Sequence, residues 1–469
     1  MNALRRGLFA AAGVLLAGVA VVVLVAVWTY EPGRQYRGLS ATGAAVAVIP
    51  AGASLATAGQ PDLSRASIFT CTASRSRAPY SVAFVEFDDQ GFLWDPRQTR
   101  AIEHHVDSLG AGRGVIIVAF VHGWNHTGAV TDNNVACFQQ VIQAVSMLEN
   151  KVNGSHARAV VGVYCGWRGA VFRNTAINKL LSFWDRLSAA DRVGERGDLL
   201  RVLTMLSHLK HTSRGRHPSI LALTAHSMGA RALFLAVGPN LKESLARAAL
   251  GEDMLGGFGD LVVLINPAFT AADYKFIDGI VGDPNVQRLS PPQPVMVLLS
   301  SPADLISRRL YPLGEYFRSG RQSIQPKGDR AMLVQTAANY APFVTHRLRV
   351  VEGQVPDPTD RGAESPCGCR FVCADELPIV QSILAHPERR ELFRYSDIRV
   401  FSSENPDQMI YRLVLEGART GREPAVVIQA DPPIMPEHGE SFTPPLIEFL
   451  VRLVNAKVES VSESPAPRP

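Results

Sequence analysis

A serine near the middle of the chain stands between an apolar run and a helix-favouring segment. Residues 218–237 read PSILALTAHSMGARALFLAV, with Ser227 at the point where the apolar run ends. This order predicts a strand, a sharp turn and a helix, and so tight a turn needs small residues two positions before and after its apex. Ala225 and Gly229 meet that requirement. Ser227 is therefore a candidate nucleophile, although the short pattern alone also fits an unreactive serine.

A serine hydroxyl becomes a good nucleophile only when a base takes its proton. His438 is a candidate base, because it lies in a loop between an apolar run at residues 425–429 and a helical pattern at residues 445–454. Its imidazole would accept the proton of Ser227, and a carboxylate would fix the tautomer and stabilise the imidazolium. We expect His226 to pack beneath the turn, since the side chain before the apex points away from it.

Three aspartates that follow apolar, strand-like runs could supply the carboxylate: Asp273, Asp304 and Asp431. Asp304 comes soon after the run of residues 294–300 and behind a Ser-Pro turn signal, so we expect it at the carboxyl end of a strand. Asp273 lies farther from its run and suits the start of a helix, where it would be an N-cap. Asp431 follows the same apolar run as His438, whereas the carboxylate that pairs with the catalytic histidine usually comes from a separate strand. We therefore predict Asp304 as the acid.

A second motif directly follows the apolar run of residues 114–121. Residues 122–126 read HGWNH. A His-Gly pair at a strand end lets the backbone turn its N–H groups toward a ligand, which is how acyl-transfer enzymes bind a developing oxyanion. The predicted donors are the main-chain N–H groups of Gly123 or Trp124 together with that of Met228, next to the serine. We expect the histidine that opens the motif to hold its own loop.

The elements that must position these residues alternate along the chain. Short, wholly apolar runs alternate with segments of helical spacing, which is typical of a parallel sheet covered by helices on both faces. The strand-like runs are residues 114–121, 159–164, 220–223, 260–266, 294–300 and 425–429, and the helical segments include residues 97–109, 134–149 and 174–210. Residues 81–95 instead alternate apolar and polar residues, which predicts a half-buried strand or hairpin.

The HGW motif, the serine motif, Asp304 and His438 together resemble those of the α/β-hydrolase superfamily, in its serine esterase and lipase branch. Their order along the chain, with the nucleophile before the acid and the histidine last, is the order of that superfamily. The resemblance covers about residues 80–305 and 424–455. The chain departs from the motif of the superfamily at Ala225, where glycine is commoner.

The resemblance implies a fold, an activity and a domain organisation. The fold is an α/β-hydrolase fold, a mostly parallel sheet with helices on both faces, in residues 80–455. The activity is hydrolysis of a small-molecule or lipid ester through an acyl-enzyme, without a cofactor or metal. Residues 305–424 form an insertion after the acid-bearing strand, a position that commonly carries a cap. A non-catalytic member of the fold, tethered to the membrane as a binding or scaffold module, is the alternative.

The start of the chain predicts a membrane segment. Residues 7–28 are uncharged and mostly apolar, and they follow Arg5 and Arg6. At about 1.5 Å per residue a helix of this run is about 33 Å long, enough to span a hydrocarbon core of about 30 Å. Positive flanks stay in the cytoplasm, so we predict a single-pass signal anchor at residues 1–29 and an extracytoplasmic domain, periplasmic or extracellular. A cleaved signal peptide is the alternative, but bulky aromatic residues follow the run where a cleavage site needs small ones.

The composition is that of a globular protein. The chain has 469 residues, of which 46% are hydrophobic and 19% charged, and its net charge of +4 is spread along the sequence. No basic patch indicates a nucleic-acid partner. Residues 30–79, rich in Ala, Gly, Ser and Arg, predict a tether between membrane and domain. Residues 456–469 predict a disordered tail.

Six cysteines occur in the chain, and three of them are clustered: Cys367, Cys369 and Cys373. Three cysteines without a fourth ligand at a usual spacing are a weak zinc signal. Disulfides are the more economical interpretation, because the domain is expected in an oxidising compartment. As many as three bridges could form, and the spacing does not tell which cysteines pair.

Overall fold

The computed structural model of the chain describes residues 2–38, 46–50, 66–72, 80–173, 177–178, 181–213, 215–252, 255–319, 322–324, 329–352, 373, 377–385, 399–405, 408–417, 422–439 and 442–463. Twelve strands in this part of the chain form one sheet. They are β1 (Val46–Ile49), β2 (Ile68–Cys71), β3 (Tyr80–Glu86), β4 (Val115–Val121), β5 (Ala159–Gly166), β6 (Ile220–His226), β7 (Leu261–Ile265), β8 (Met296–Ser300), β9 (His346–Glu352), β10 (Arg399–Asn405), β11 (Gln408–Gly417) and β12 (Ala425–Ala430).

Twelve α-helices are described. They are α1 (Asn2–Thr29), α2 (Arg97–Gly110), α3 (Asn133–Asn153), α4 (Phe183–Glu195), α5 (Asp198–Thr212), α6 (Met228–Ala249), α7 (Ala271–Ile280), α8 (Pro284–Leu289), α9 (Tyr311–Ser319), α10 (Ala331–Val334), α11 (Pro378–Ala385) and α12 (Pro444–Glu463). A π-helical turn, Ile306–Leu310, precedes α9. The predicted helical run of residues 174–210 contains two of these helices, α4 and α5, with Gly197 in the left-handed region between them.

The strand order is β1-β2-β3-β5-β4-β6-β7-β8-β12-β9-β11-β10. Every neighbouring pair from β3 to β9 in this order is parallel. Antiparallel pairs flank that central part in the described residues. They are β2 with β3 on one side, and β9 with β11 and β11 with β10 on the other. The predicted mostly parallel sheet is confirmed, and the carboxyl ends of its central strands share one edge.

Helices cover both faces of the sheet, as predicted. Alternate side chains of β4 enter two separate cores, with Ile117 and Ala119 in one and Val118 and Phe120 in the other. The first core also takes side chains from α2 and from α4 to α8, and the second from α3, α11 and α12. Fully burying one such aliphatic side chain contributes roughly 1.5–3 kcal/mol, so the two cores hold the central strands firmly in place.

Strand β3 is buried along its whole length, so the prediction of a half-buried strand is wrong for it. The alternative prediction, a hairpin, agrees with the antiparallel bridge between Phe87 and Leu93 that follows β3. Its polar residues have buried partners. The hydroxyl groups of Ser81 and Thr70 are 2.9 Å apart, and Glu86 accepts hydrogen bonds from the backbone of Arg37. The alternation of polar and apolar residues in β3 therefore reflects polar contacts inside the protein.

Part of the segment predicted as a tether, residues 30–79, packs on the domain. β1 and β2 join the sheet, and Arg37 is 1% exposed. The Arg37 backbone N–H donates to Glu86 Oε2 at 2.7 Å, its Nε donates to the carbonyl of Gly128 at 3.0 Å, and its guanidinium lies 4.3 Å from the centre of the Phe84 ring. Burial lowers the pKa of Arg37 to about 10, against the opposing effect of Glu86.

Helix α1 is long and apolar enough to cross a membrane. Its window Ala12–Thr29 has a mean hydropathy of 2.5, and 11% of it is buried. A membrane anchor and a signal sequence share these properties. The end of the helix is attached to the domain, because the Arg173 N–H donates to the carbonyl of Thr29 and the Glu31 N–H donates to that of Val171, each at 2.8 Å.

The predicted insertion at residues 305–424 contributes to the sheet itself. Strands β9, β11 and β10 extend the sheet beyond β12, so this described part of the insertion belongs to the sheet and not to a cap. Strand β9 pairs in parallel with the edge of β12, which would otherwise be left unpaired, and β11 and β10 continue from β9 as an antiparallel ladder. The π-helical turn and α9 belong to the same insertion and lie directly after Asp304.

The last helix continues past the predicted end of the domain. α12 ends at Glu463, and Ala456, Lys457 and Val458 are buried, so the predicted boundary of a disordered tail at residue 456 is wrong. Apolar residues at helical spacing hold this part of α12 against the second core.

Disulfides connect distant parts of the chain. Cys71 and Cys373 are bonded across a separation of 302 residues, and Cys137 is also disulfide-bonded. Cys165 is free and buried, and burial raises its pKa to about 12. Because one of the six cysteines is free, the three possible disulfides do not all form. Cys373 belongs to a disulfide rather than to a metal site, while the other two clustered cysteines lie outside the described residues.

Candidate active site

Ser227 occupies a strained turn between β6 and α6. Its backbone has φ 54° and ψ −119°, a conformation that non-glycine residues rarely adopt. Gly229 allows the turn to approach β4, because a Cβ at that position would lie 2.3 Å from the carbonyl oxygens of Val121 and His122. The turn therefore has the features of a nucleophile elbow, in which the strained serine is held at the end of a central strand.

Ser227, His438 and Asp304 meet at the carboxyl edge of the sheet. The Ser227 Oγ lies 2.5 Å from His438 Nε2, and His438 Nδ1 lies 2.6 Å from Asp304 Oδ2. The three residues follow β6, β12 and β8, and they are 2%, 9% and 0% exposed. The structure thus brings together the serine, histidine and aspartate that the sequence singled out.

The hydrogen bonds of this group define one tautomer of the histidine. A proton on His438 Nδ1 is donated to the carboxylate of Asp304, which leaves the Nε2 lone pair to accept the hydroxyl proton of Ser227. The arrangement can therefore remove a proton from the serine as it attacks, and stabilise the positive charge that results on the imidazole.

Asp304 is buried and surrounded by donors. Its Oδ1 accepts the backbone N–H groups of Ile306 at 2.9 Å and Ser307 at 3.0 Å, and its Oδ2 accepts the Ser307 hydroxyl at 2.6 Å. Burial alone would raise the pKa of Asp304, but the charge and hydrogen bond of His438 and the hydrogen bonds of Ser307 outweigh it and lower the pKa to about 2. The carboxylate is therefore ionised at neutral pH.

Two residues that support the aspartate were missed by the sequence analysis. The Asn339 Nδ2 donates to the Ser307 Oγ at 2.9 Å, so the hydroxyl that binds Asp304 is itself oriented. Ser307 lies in the π-helical turn, three residues after the acid. That spacing was the available signal, whereas nothing in the local sequence of Asn339 points to the site.

Two of the predicted oxyanion donors, Gly123 and Met228, lie beside the serine. Met228 opens α6, so its N–H has no intrahelical acceptor, and Gly123 is close enough that an added Cβ would lie 3.0 Å from Ser227 Cβ. Among the described residues, the N–H groups of Gly123, Trp124 and Met228 have no backbone acceptor. The N-terminus of α6 adds a positive potential where an oxyanion would form.

His122 holds the loop after β4, as the sequence analysis expected. Its Nδ1 donates to the carbonyl of Gly123 and its Nε2 accepts the N–H of Trp167, both at 2.9 Å. The indole of Trp167 donates back to the His122 carbonyl at 2.7 Å. Burial lowers the pKa of His122 to about 4, so the ring is neutral near pH 7. These contacts fix the backbone that carries Gly123 and Trp124.

His226 packs beneath the turn, also as expected. It is 1% exposed, and its ring centre lies 5.1 Å from that of His438. Burial lowers the pKa of His226 well below its usual value, so it adds no positive charge next to His438.

The two other aspartates considered for the acid have separate partners. Asp273 accepts the N–H of Thr270 at 2.9 Å and its hydroxyl at 2.8 Å in the capping box of α7, so Thr270 is the N-cap and Asp273 is its partner. Asp431 lies 3.9 Å from Arg349 at the surface. Across the described ranges, no group of three or more His, Cys, Asp or Glu side chains is arranged to hold a metal ion.

No protein-family model and no curated protein matches the chain. Among solved structures it is similar to phospholipase PlaB from Legionella pneumophila, with 12% identity and a TM-score of 0.25 over 50% of this chain and 47% of that one. It is also similar to PlaB in complex with thio-NAD, with 11% identity and a TM-score of 0.24 over 74% of this chain and 61% of that one. A third similar structure is the Tle1 effector bound to the VgrG spike of the Type 6 secretion system, with 12% identity and a TM-score of 0.18 over 66% of this chain and 70% of that one.

The chain thus covers about half to three fifths of the length of PlaB.

Proposed function

We propose that the protein is a serine hydrolase that cleaves carboxylic esters through an acyl-enzyme on Ser227, with His438 as the base and Asp304 as the acid. The observation that carries the proposal is the pair of contacts at His438, 2.5 Å to Ser227 and 2.6 Å to Asp304. The strained backbone of Ser227 and the N–H groups next to it supply the two other features that acyl transfer needs.

In the first half of the reaction, Ser227 Oγ attacks the ester carbonyl carbon while its proton passes to His438 Nε2. The negative charge that develops on the carbonyl oxygen accepts hydrogen bonds from the N–H of Met228 and from Gly123 or Trp124, each worth about 3 kcal/mol of barrier. Asp304 stabilises the imidazolium. The imidazolium then gives its proton to the leaving alcohol, and the acyl group remains on the serine.

In the second half, water attacks the acyl-enzyme. His438 takes a proton from the water and returns it to Ser227 Oγ as the carboxylic acid leaves. The same residues therefore serve both halves, and the protein ends the cycle unchanged.

The proposal places the domain on the extracytoplasmic side of a membrane that α1 spans once. The positive charges of Arg5 and Arg6 before the apolar run support this orientation, and the disulfide between Cys71 and Cys373 supports an oxidising compartment. Retention in the membrane pellet after alkaline washing tests the anchor. Recovery of soluble protein with an N-terminus beyond residue 30 would contradict it.

The activity is tested by comparing Ser227→Ala with wild type on short p-nitrophenyl esters. We expect the variant to lose hydrolysis while its melting temperature stays nearly unchanged, because a reacting hydroxyl contributes little to the fold. Ser188→Ala is a matched control, since Ser188 is exposed on α4. Activity above about a few per cent in Ser227→Ala, or no activity of the wild type on a panel of esters, would count against the proposal.

A further inference from the structure

Helix α9 has its apolar and polar faces reversed relative to an ordinary surface helix. Its buried residues are Tyr311, Glu315 and Ser319. Three of its four exposed residues are apolar and large, with Leu313 57%, Tyr316 62% and Phe317 77% exposed. A helix of a soluble domain normally turns its apolar stripe to the core. The reversed orientation leaves three large side chains mostly exposed, and the rings of Tyr316 and Phe317 contact each other edge to face with centres 5.9 Å apart.

Specific contacts hold α9 in this orientation. The Arg231 Nη1 of α6 donates to the Tyr311 hydroxyl at 3.3 Å. The ring of Trp184 lies so close to Gly314 that a Cβ there would be 1.5 Å from the ring. Turning the helix over would break these contacts, so the exposure of its apolar face is built into the fold.

Exposed arginines surround this apolar face. Arg308 and Arg309 are exposed in the π-helical turn, and the side chain of Arg318 is 54% exposed at the end of α9. Leu305, 58% exposed, begins the same segment. Apolar and aromatic side chains bordered by arginines are the composition of segments that lie in the membrane interface, where the cations contact lipid phosphates.

The segment begins at the candidate active site. Leu305 directly follows Asp304. On the neighbouring helix α4, Trp184 lies against α9, while Phe183 packs on Trp124 of the oxyanion loop with ring centres 5.1 Å apart. Trp184 is itself 43% exposed and its ring centre lies 4.7 Å from that of Phe183, so aromatic contacts connect α9 to the oxyanion loop.

The same region is joined to the end of α1 by a short series of hydrogen bonds. Residues 171–173 bind the end of α1, and the Asn178 Oδ1 accepts the N–H of Val171 at 2.9 Å. The carbonyl of Asn178 accepts the Ser182 hydroxyl at 2.7 Å, and the Ser182 Oγ accepts the indole N–H of Trp124 at 3.0 Å. These hydrogen bonds connect the end of α1 to Trp124 of the oxyanion loop.

We infer that residues 305–319 form an interfacial surface that rests in the outer leaflet of the membrane spanned by α1, and that Ser227 takes its ester from the lipids of that membrane. The interfacial surface comprises Leu305, Arg308, Arg309, Leu313, Tyr316, Phe317 and Arg318. The inference rests on the proposed function and narrows its substrate class to membrane lipid esters. An acyl chain would reach the serine along the apolar surface without crossing water.

The position of the surface can be measured without any activity. Phe317→Cys and Leu250→Cys, each labelled with an environment-sensitive fluorophore, are compared in the full chain in vesicles of phosphatidylcholine and phosphatidylglycerol. Leu250 is 74% exposed and directly follows α6, which extends about 33 Å from Ser227, so it reports a surface away from the membrane. We expect blue-shifted emission and quenching by spin-labelled lipid at position 317, and neither at position 250.

Two results of that experiment would overturn the inference. In one, the fluorophore at position 317 is as exposed to water as the one at position 250. In the other, its emission is blue-shifted but lipid quenchers have no effect, which would mean that a protein, such as a second copy of the chain, covers α9.

The substrate class is tested with the triple variant Leu313→Ser, Tyr316→Ser, Phe317→Ser and the control Leu250→Ser. We expect the ratio of phospholipid hydrolysis in vesicles to short-ester hydrolysis to fall about tenfold or more in the triple variant and to stay within about twofold in the control. An unchanged ratio would overturn the inference. A wild type that cleaves short esters but no vesicle lipid would overturn it and leave the proposed function intact, whereas a wild type that cleaves neither would remove both.

Discussion

The Nδ1 of His438 lies 2.6 Å from Oδ2 of Asp304, a carboxylate with no exposed surface. Because Ile306 and Ser307 supply the other hydrogen bonds of that carboxylate, it is held ionised and oriented before any substrate arrives. The imidazole therefore has one favoured tautomer, with its acceptor nitrogen on Ser227.

Asp304→Asn should lower kcat by about 10³ to 10⁴ with little change in KM, because an amide donates to Nδ1 and favours the wrong tautomer. Asp273→Asn and Asp431→Asn are matched controls that should stay within about tenfold of wild type, since their partners are Thr270 and Arg349. Steady-state kinetics on one soluble ester measures kcat and KM for the wild type and the three variants. A large loss in either control, with an active Asp304→Asn, would mean that the carboxylate has been assigned to the wrong strand.

Ser307 is predicted to act as a positioning residue. Ser307→Ala removes the 2.6 Å hydrogen bond to Asp304, and hydrogen bonds to charged groups are worth about 1.5 kcal/mol or more, so kcat should fall about tenfold. KM should stay within about twofold, and Ser307→Thr should recover most of the activity because it keeps the hydroxyl. If Ser307→Ala and Ser307→Thr lose activity equally, packing rather than the hydrogen bond is what matters at this position.

The central sheet and the three residues at its edge were predictable because their signals are local. Strands buried on both faces must be apolar throughout, so runs such as residues 114–121 stand out, and parallel strands carry functional residues at their carboxyl ends. Ser227, His438 and Asp304 were found by that rule. The rule predicts positions only, and the roles of the residues stay predictions until they are measured.

Other parts of the protein depend on partners far away in the sequence. Arg37 is part of a segment that looks like a flexible linker until Glu86 is brought to it, 49 residues on. Asn339 supports Ser307 only through the fold. The pairing of β9 with β11 and β10 cannot be deduced from local periodicity, since register depends on which edges meet. The same limit explains why the burial of β3 was missed.

Gly123→Ala should abolish activity through the oxyanion loop. The added Cβ would lie 2.6 Å from His226 Nδ1 and 3.0 Å from Ser227 Cβ, so the loop has to move away from the serine. Loss of oxyanion donors costs about 10² to 10³ in kcat. Gly279→Ala in α7 is the control, because nothing lies within 4 Å of its added Cβ. Equal activity of the two variants in an ester assay would argue against a role for this loop.

His122 should make the protein less stable in mild acid. Its pKa is about 4 in the folded state, below the ordinary value of 6.5, so the stability it provides is present above pH 6.5 and lost as the pH falls through 4. The free energy of unfolding that is lost in this way amounts to about 3 kcal/mol. His122→Asn does not titrate, so the difference in unfolding free energy between wild type and variant should narrow by about that much between pH 7 and 4. Denaturant titrations in detergent measure it, and a constant difference would contradict the assignment.

The nucleophile is tested most directly by mass spectrometry of the full-length protein after reaction with a fluorophosphonate probe. We expect the probe to modify Ser227 alone among the serines, and His438→Ala to slow the modification about a thousandfold or more because the base is gone. Ser188→Ala should react like wild type. A wild type in which Ser227 stays unmodified while other esterase controls react, or modification of Ser227 at the same rate in His438→Ala, would contradict the proposal that this serine is an activated nucleophile.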